Sequence, residues 1–259
     1  MNICRADKVL LSGGAALIGS AALFGATSLG LGLPAAALLA VLADGIFRPS
    51  SSTFYPTISH GPRGRPKVAL TFDDGPHPDV TPRVLDILAA HGARATFFMI
   101  GRYLERNLAI GARAAREGHQ IGNHSWQHSY LQNFYSSRAY LHDIERTEAL
   151  IRGIVGNAAS IPFRTPVGHK SPDFARAAHV RGLQVVAWSL HSRDTIDRNP
   201  ARVARRVLSR VRPGDIVLMH DGHQDPGGHR RSALEALPAI LDGLRQRGLQ
   251  PVTLNELLS

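Results

Sequence analysis

The sequence predicts an α/β fold in which about seven mostly parallel strands form a distorted, incomplete (β/α) barrel. The first observation behind this prediction is that short apolar runs alternate with amphipathic helical patterns from residue 67 onward. The second is that several runs end in ionisable residues followed by Gly or Pro, as at the carboxyl ends of buried strands. The sequence also predicts an N-terminal hydrophobic membrane segment ahead of this domain. A doubly wound open sheet is the alternative arrangement.

Local signals delimit each predicted element. Strands are expected over 68–72, 95–100, 119–124, 160–164, 183–190, 215–220 and 251–254. Helices are expected over 81–92, 105–117, 136–154, 172–181, 200–211 and 232–247. The first helix shows the pattern, because Thr81 suits an N-cap and Pro82 suits the first helical position.

The stretch of residues 9–43 carries no charge and is rich in Leu, Ala and Gly. It exceeds the ~20 residues of one membrane span. A single anchor, a hairpin broken between Gly30 and Pro34, and a signal peptide cleaved after Ala43 all fit. We expect a membrane anchor, with the folded domain periplasmic or extracellular. A hairpin would instead leave the domain on the starting side, and cleavage would give a secreted form.

Composition divides the chain into three parts. Residues 1–43 are the membrane anchor or signal segment, 44–66 are a Pro/Ser/Gly-rich linker, and 67–259 are the folded domain. The net charge of +10 comes mostly from Arg spread along the chain. Because no basic block or aromatic-interleaved stripe occurs, we expect no nucleic-acid partner. The single Cys4 cannot form an internal disulfide, and no protein partner can be inferred.

Two carboxylates, Asp73 and Asp74, end the first apolar run of the domain, and Gly75 and Pro76 follow at once. This pattern places both at the carboxyl end of a buried strand, which is where active sites lie in barrels and open α/β sheets. His124 and His128 follow a later strand. Two histidines and one carboxylate form a known catalytic zinc set with an open position for water.

Further reactive residues lie at or just beyond the carboxyl ends of other strands. They are Arg164 before Thr-Pro-Val-Gly, Trp188 and Asp194 around the end of the 183–190 strand, and the His220-Asp221 pair at the end of the 215–220 strand. These residue types suit metal-assisted hydrolysis of an amide or ester, with one carboxylate as ligand, the other as base and a protonated His as acid. From spacing alone, Asp73 and Asp74 could exchange these roles. The chain has no Gly-x-Ser-x-Gly elbow and no Walker or Rossmann glycine loop.

Taken together, the ordered motifs resemble those of the polysaccharide deacetylase family (carbohydrate esterase family 4, the NodB-homology domain). The motifs are Thr71-Phe72-Asp73-Asp74-Gly75, His124-Ser125-x-x-His128, Arg164-x-Pro166 and Leu218-x-His220-Asp221. The resemblance extends from about residue 67 to the end of the chain. It implies a distorted (β/α) barrel and a metal-dependent hydrolase.

By this resemblance, Asp73 is the catalytic base and His220 the general acid, while Asp74, His124 and His128 bind Zn²⁺, with Co²⁺ or Ni²⁺ as alternatives. Arg164 would orient Asp73, and Asp194 would tune His220. The implied substrate-binding residues are Pro166, Val167, Trp188 and Leu218. The last two would line the pocket for the acyl methyl group.

The resemblance also implies the substrate class, N-acetyl groups on an amino-sugar glycan or glycolipid of the peptidoglycan, chitin-like or exopolysaccharide kind. Three departures bear on this expectation: Val167 replaces a common aromatic residue, and His191 and Thr195 stand where Asp and Trp are common. The alternatives are an O-acetyl esterase on xylan-like polymers, a lipid-linked sugar deformylase and a non-catalytic glycan-binding module. The expected partners are the acetylated carbohydrate and, through residues 9–43, the membrane.

Overall fold

The computed structural model describes residues 4–25, 27, 31–222 and 231–259. The helices of these residues are α1 (Arg5–Phe24), α2 (Leu33–Phe47), α3 (Thr81–Ala90), α4 (Gly101–Arg106), α5 (Leu108–Arg116), α6 (Ser137–Val155), α7 (Pro172–Arg181), α8 (Pro200–Leu208), α9 (Ser232–Gln246) and α10 (Leu254–Leu258). The strands are β1 (Thr57–Ile58), β2 (Lys67–Gly75), β3 (Thr96–Met99), β4 (Gln120–Asn123), β5 (Val185–Val186), β6 (Leu190–His191), β7 (Ile216–His220) and β8 (Gln250–Val252).

The predicted parallel α/β architecture is confirmed. The main sheet runs in the order β4-β3-β2-β7-β6, and β8 pairs with the first residues of β2. Each of these pairings is parallel, so the carboxyl ends of the strands meet at one end of the sheet. We refer to that end as the mouth. The central β2 is buried along almost its whole length, because helices cover the sheet.

The barrel closes through shortened strands. The strand predicted over 160–164 is reduced to Phe163, which bridges in parallel to Asn123 of β4 and Val185 of β5. Pro162 has no N–H to donate, and its carbonyl oxygen accepts a hydrogen bond from the N–H of Asn123 at 2.8 Å. Pairing therefore cannot extend in that direction, and the closure is a single bridge on each side of Phe163.

Two other predicted elements are interrupted. The expected strand over 183–190 is split into β5 and β6, because Ser189 turns to hydrogen bond with β7 through its side chain and its N–H. The helix expected over 105–117 is two helices, α4 and α5, which meet at Asn107 with φ −132°. Residue patterns show where side chains are buried, but they do not show where regular pairing stops.

The predicted apolar segment forms two helices rather than one continuous span. α1 has 20 residues, none of its most apolar window is buried, and it is long and apolar enough to cross a membrane. The second helix, α2, is a shorter apolar helix. The helices pack side by side, since a Cβ atom on Gly13 would lie 2.5 Å from Cδ1 of Leu38. We refer to α1 and α2 as the N-terminal hairpin.

Both ends of the N-terminal hairpin contact the domain. Asp7 at the start of α1 accepts from Arg176 of α7 at 2.7 Å. At the end of α2, the carbonyl of Ile46 accepts from the N–H of Lys170 at 3.1 Å. Gly45 leaves room for the Phe54 ring, which is fully buried. The hairpin therefore leaves the domain and returns to the same side of it.

The segment predicted as a linker is partly built into the domain. The helix α2 continues past residue 43 to Phe47, and β1 pairs with β5. His60 bridges to Asp215 just before β7. The division into anchor, linker and catalytic domain remains a prediction.

A glycine pair tests how tightly the mouth is packed. A Cβ atom on Gly122 of β4 would lie 2.6 Å from the Phe98 ring, whereas one on Gly153 of α6 has nothing within 4 Å. We expect Gly122→Ala to lower the free energy of unfolding by about 1–3 kcal/mol through overpacking. Gly153→Ala should raise it by about 0.5–1 kcal/mol, because alanine favours a helix.

Denaturant unfolding of the full-length chain in detergent, followed by circular dichroism, measures both changes. Equal stability of the two variants would contradict this account of the packing.

Candidate active site

The two adjacent carboxylates lie at the mouth, at the end of β2, and their backbones differ. Asp74 has a φ of 70°, a left-handed conformation that is uncommon for a residue other than glycine. A regular strand would direct two adjacent side chains to opposite faces. Here Oδ2 of Asp73 and Oδ1 of Asp74 both lie 3.6 Å from Nε2 of His124. The backbone of Gly222 packs closely against this turn, since any side chain at Gly222 would collide with the carbonyl of Asp74.

Asp74, His124 and His128 come together as a buried group that could bind a metal ion. Their candidate ligand atoms all lie within 4.8 Å of one another. Oδ1 of Asp74 is 3.2 Å from Nε2 of His128 and 3.6 Å from Nε2 of His124. The sequence prediction placed these residues in one site, and the structure brings them together.

The chemistry of these donors fits a divalent cation. Nδ1 of His124 lies 2.8 Å from the carbonyl of Arg164 and must donate to it, so Nε2 is left as the nitrogen that faces Asp74. Burial and the neighbouring His124 lower the pKa of His128 to about 3, so its imidazole is neutral at neutral pH. Although burial opposes ionisation, the surrounding histidines hold the pKa of Asp74 well below its usual value. One carboxylate and two imidazoles form a catalytic zinc type of ligand set.

Arg164 holds Asp73 beside this group. Nη1 of Arg164 donates to Oδ1 of Asp73 at 2.7 Å and to Oγ1 of Thr71 at 2.8 Å. The other donors of this fully buried side chain reach the carbonyls of Val186 and Ala187. Oδ2 of Asp73 lies 3.6 Å from Nε2 of His124. One oxygen of Asp73 is therefore held by arginine, and the other faces the candidate metal group.

His220 and the buried Asp194 form a second pair across the mouth, and the His220 side chain is 12% exposed. Nδ1 of His220 donates to Oδ1 of Asp194 at 3.1 Å, and the N–H of His220 donates to Oδ2 at 2.8 Å. Although burial opposes the charged form, the carboxylate of Asp194 raises the pKa of His220 to about 9. In the sheet, His220 is the register partner of Asp73 on β2. The pair therefore lies next to the first carboxylate.

The predicted substrate-binding residues surround the same end of the barrel. Pro166, Val167 and Gly168 form a tight turn in which Val167 has a φ of 49° and is 42% exposed. The half-buried Trp188 ring lies against this turn, since a Cβ atom on Gly168 would be 2.9 Å from it. Leu218 is buried on β7, opposite Thr71 of β2.

One of the departures from the family pattern, His191, lies close to the candidate acid. The His191 ring lies 6.0 Å from the His220 ring and 6.1 Å from the Trp188 ring. Burial and the neighbouring His220 lower the pKa of His191. At neutral pH, His191 therefore presents a neutral ring to this part of the mouth.

Sequence reasoning gave no role to three residues that support the site. Thr71 accepts from Arg164, and Ser192 donates to Asp194 at 2.6 Å. Asp221 is fully buried and accepts from Oγ1 of Thr81 at 2.6 Å, and its Oδ1 has no hydrogen-bond partner among the residues described. Burial, with the charges of Asp74 and Asp73, raises the pKa of Asp221 to about 7. In the sequence, the position of Asp221 directly after His220 was the signal that could have identified it.

A large cleft lies elsewhere. It has a volume of about 960 Å³ and is lined by residues that include Leu108, Gln120 and Asn255. Gln120 is the first residue of β4, so this cleft opens at the amino ends of the strands. It contains none of the predicted site residues, whose carboxylates and imidazoles meet at the mouth.

The chain is similar to known proteins over most of its length. The polysaccharide deacetylase family model matches residues 60–186. A peptidoglycan-N-acetylglucosamine deacetylase of Bacillus cereus is 37% identical over 199 residues, which are 76% of this chain and 90% of the relative. A chitooligosaccharide deacetylase of Azorhizobium caulinodans is 36% identical over 194 residues, 71% of this chain and 92% of the relative.

A solved structure has the same fold. The Bc1960 peptidoglycan N-acetylglucosamine deacetylase, in complex with 4-naphthalen-1-yl-N-oxidanyl-benzamide, superimposes with a TM-score of 0.72 at 33% identity. The match covers 78% of this chain and 92% of that one. With this shared fold and the sequence matches, the chain belongs to the polysaccharide deacetylase family.

Proposed function

We propose that this chain is a metal-dependent hydrolase that removes N-acetyl groups from an amino-sugar glycan or glycolipid. The observation that carries the proposal is the buried group of Asp74, His124 and His128, whose ligand atoms lie within 4.8 Å of one another. An arginine-held carboxylate, Asp73, and an aspartate-held histidine, His220, lie beside it. A non-catalytic glycan-binding module would not need this set of ligand, base and acid.

Asp74, His124 and His128 are the proposed ligands of Zn²⁺, with Co²⁺ or Ni²⁺ as alternatives that the donor set also suits. A divalent ion in this site supplies positive charge that polarises the acyl carbonyl and makes water acidic enough to deprotonate near neutral pH. The positive φ of Asp74 supports its role as the ligand, because it turns this carboxylate toward both histidines.

The proposed base is Asp73. Its Oδ1 is occupied by Arg164, so Oδ2 is the oxygen that accepts the proton of the attacking water. Arg164 fixes the direction of this carboxylate, since the buried guanidinium has no other carboxylate partner among the residues described. Water adds to the acyl carbon as its proton passes to Asp73.

The proposed acid is His220. Asp194 holds Nδ1–H, so Nε2–H is the donor available to the departing amine. A pKa of about 9 keeps this imidazole protonated at neutral pH. His220 transfers this proton to the amine nitrogen as the carbon–nitrogen bond breaks, and acetate and the free amino sugar are released.

The amino-sugar substrate class is supported by the relatives, which are named for peptidoglycan N-acetylglucosamine and for chitooligosaccharides. Trp188 and Leu218 are proposed to line the pocket for the acyl methyl group, beside the turn formed by Pro166 and Val167. The 42% exposure of Val167 leaves that side of the turn open to a glycan. Its small side chain removes the broad sugar contact that an aromatic residue would supply.

The N-terminal hairpin is proposed to attach the chain to a membrane. Supporting this proposal are the 20 residues of α1, about 30 Å of helix, and the absence of charge over residues 9–43. Both ends of the hairpin contact the domain, which supports a hairpin more than a single span. A periplasmic or extracellular domain remains a prediction.

The proposed reaction predicts which substrates release their acyl group. We expect the full-length chain with Zn²⁺ to release acetate from N-acetylglucosamine oligosaccharides, because the site holds both a water-activating base and an acid for an amine leaving group. Acetate release is compared with that from O-acetylated xylo-oligosaccharides and with formate release from an N-formyl sugar lipid. Faster release from the ester or from the formyl substrate would contradict the proposal and favour the corresponding alternative activity.

The unequal roles of the carboxylates predict a separation of metal binding from activity. Asp74→Asn and His128→Ala should lose bound zinc and activity together. Asp73→Asn should keep its zinc while kcat falls by about 10²–10⁴-fold, the usual loss of a general base. Zinc is measured by mass spectrometry of the purified full-length chain. The exposed His142→Ala is the matched histidine control and should retain both properties. Loss of zinc from Asp73→Asn would show that the roles are exchanged.

The pair of His220 and Asp194 predicts a shift in the pH profile. The acid works only while protonated, so activity falls as pH rises through the pKa of His220. Asp194→Asn removes the charge that raises this pKa, and the alkaline limb of kcat should move at least about one unit toward lower pH. Ser192→Ala removes one hydrogen bond but keeps the Asp194 charge, so its limb should move much less. An alkaline limb unchanged in Asp194→Asn would exclude this role for His220.

A further inference from the structure

An uncharged loop at the mouth carries exposed apolar side chains that the proposed chemistry does not use. The loop comprises residues 129–136, between β4 and α6, and its sequence is Ser-Tyr-Leu-Gln-Asn-Phe-Tyr-Ser. Tyr130, Leu131 and Phe134 are 64%, 65% and 85% exposed. We refer to residues 129–136 as the apolar loop. Three exposed apolar side chains within five positions form a hydrophobic patch whose exposure to water is unfavourable.

The apolar loop is fixed beside the active site. Nε2 of the buried Gln132 donates to the carbonyl of Pro166 at 3.2 Å. The Tyr130 ring lies 6.0 Å from the ring of His128, one of the proposed metal ligands. The loop therefore forms part of the rim of the mouth.

The end of the N-terminal hairpin reaches the same turn. The Phe47 ring lies 5.3 Å from the ring of His169, and the Phe47 side chain is 60% exposed. Pro49 packs on Gly168, since a Cβ atom there would lie 2.6 Å from Cγ of Pro49. The hairpin exit and the apolar loop thus both contact the turn from Pro166 to His169, where Val167 is itself partly exposed.

A lipid bilayer accounts for this combination better than a protein partner. The apolar loop and the end of α2 contact the same turn, and the exposed side chains along α1 and α2 are also apolar, including Ile18, Leu23 and Leu39. The charged residues Arg5, Asp7, Lys8, Asp44 and Arg48 lie at the base of the hairpin, and residues 9–43 between them carry no charge. This is the distribution of an inserted segment whose base lies at the lipid headgroups. The same interface would receive the apolar loop.

We propose that the apolar loop is a second membrane contact, which places the mouth against the bilayer surface so that the enzyme acts on amino-sugar glycans attached to a membrane lipid. The inference of a lipid-attached substrate rests on the proposed deacetylase activity, whereas the membrane contact itself does not. Close apposition raises the local concentration of a lipid-held substrate and orients its sugar toward the site.

The kinetic test compares two substrates that carry the same sugar. The full-length chain in phosphatidylethanolamine–phosphatidylglycerol liposomes is assayed for acetate release from soluble N-acetylchitotetraose and from the same saccharide attached to a diacyl lipid. In Leu131→Glu/Phe134→Glu, kcat/KM for the lipid-attached substrate should fall at least about tenfold, because the loop no longer enters the interface. The value for the soluble substrate should stay within about twofold. The control Leu108→Glu makes the same change in the distant cleft and should alter neither.

Loss on both substrates, or no loss on the lipid-attached one, would overturn the proposal. A wild-type chain that deacetylates neither substrate would instead exclude the proposed function, and a second measurement then tests the membrane contact alone.

This second measurement uses fluorescence. In a Cys4→Ser background, Phe134→Cys is labelled with an environment-sensitive fluorophore. We expect blue-shifted emission and quenching by doxyl lipids in liposomes, and neither effect for Leu108→Cys. Emission from position 134 that matches emission in water would exclude the contact.

Discussion

The buried ion pair of Arg164 and Asp73 is the interaction on which the rest of the site depends. A guanidinium fully removed from water is costly unless its donors are satisfied. Here they bond to Asp73 and Thr71 on β2 and to the backbone of β5, and the Phe98 ring of β3 lies 4.0 Å from the guanidinium carbon. The pair therefore ties the central strand to the closing side of the barrel. Displacing any of these strands would leave a buried charge with too few partners.

The same local physics gives two histidines opposite charge states a few ångströms from the carboxylates. His128 is buried next to another histidine and stays neutral at neutral pH. His220 is only partly exposed, but Asp194 contacts both its ring and its backbone and keeps the ring protonated. A ligand must offer a lone pair, and an acid must hold a proton. The neighbours of each imidazole, and not its residue type, decide which of the two it can do.

The sequence predicted the fold class and the grouping of the site residues because both follow from local patterns. Apolar runs that end in Asp73-Asp74, His124 and His220 mark the carboxyl ends of parallel strands, and those ends must meet. Spacing did not distinguish Asp73 from Asp74, since that difference lies in a positive φ set by close backbone packing on Gly222.

Other features depend on contacts between distant residues, which periodicity does not report. The reduction of the 160–164 strand to a single bridge follows from the pairing of Phe163 with two different strands. The role of Asp221 depends on Thr81, which is far from it in sequence. The choice between one span and a hairpin depended on where the helices pack, and composition allowed both.

The contact between Asp7 and Arg176 has a consequence for how the protein is made. It holds the start of α1 on the same face of the domain as the end of α2, so the proposed hairpin would place only the uncharged residues 9–43 in the lipid. In that arrangement no charged segment would have to cross the membrane. The domain and the start of α1 would then lie on the same side, and export of the domain would require the start of α1 to cross with it.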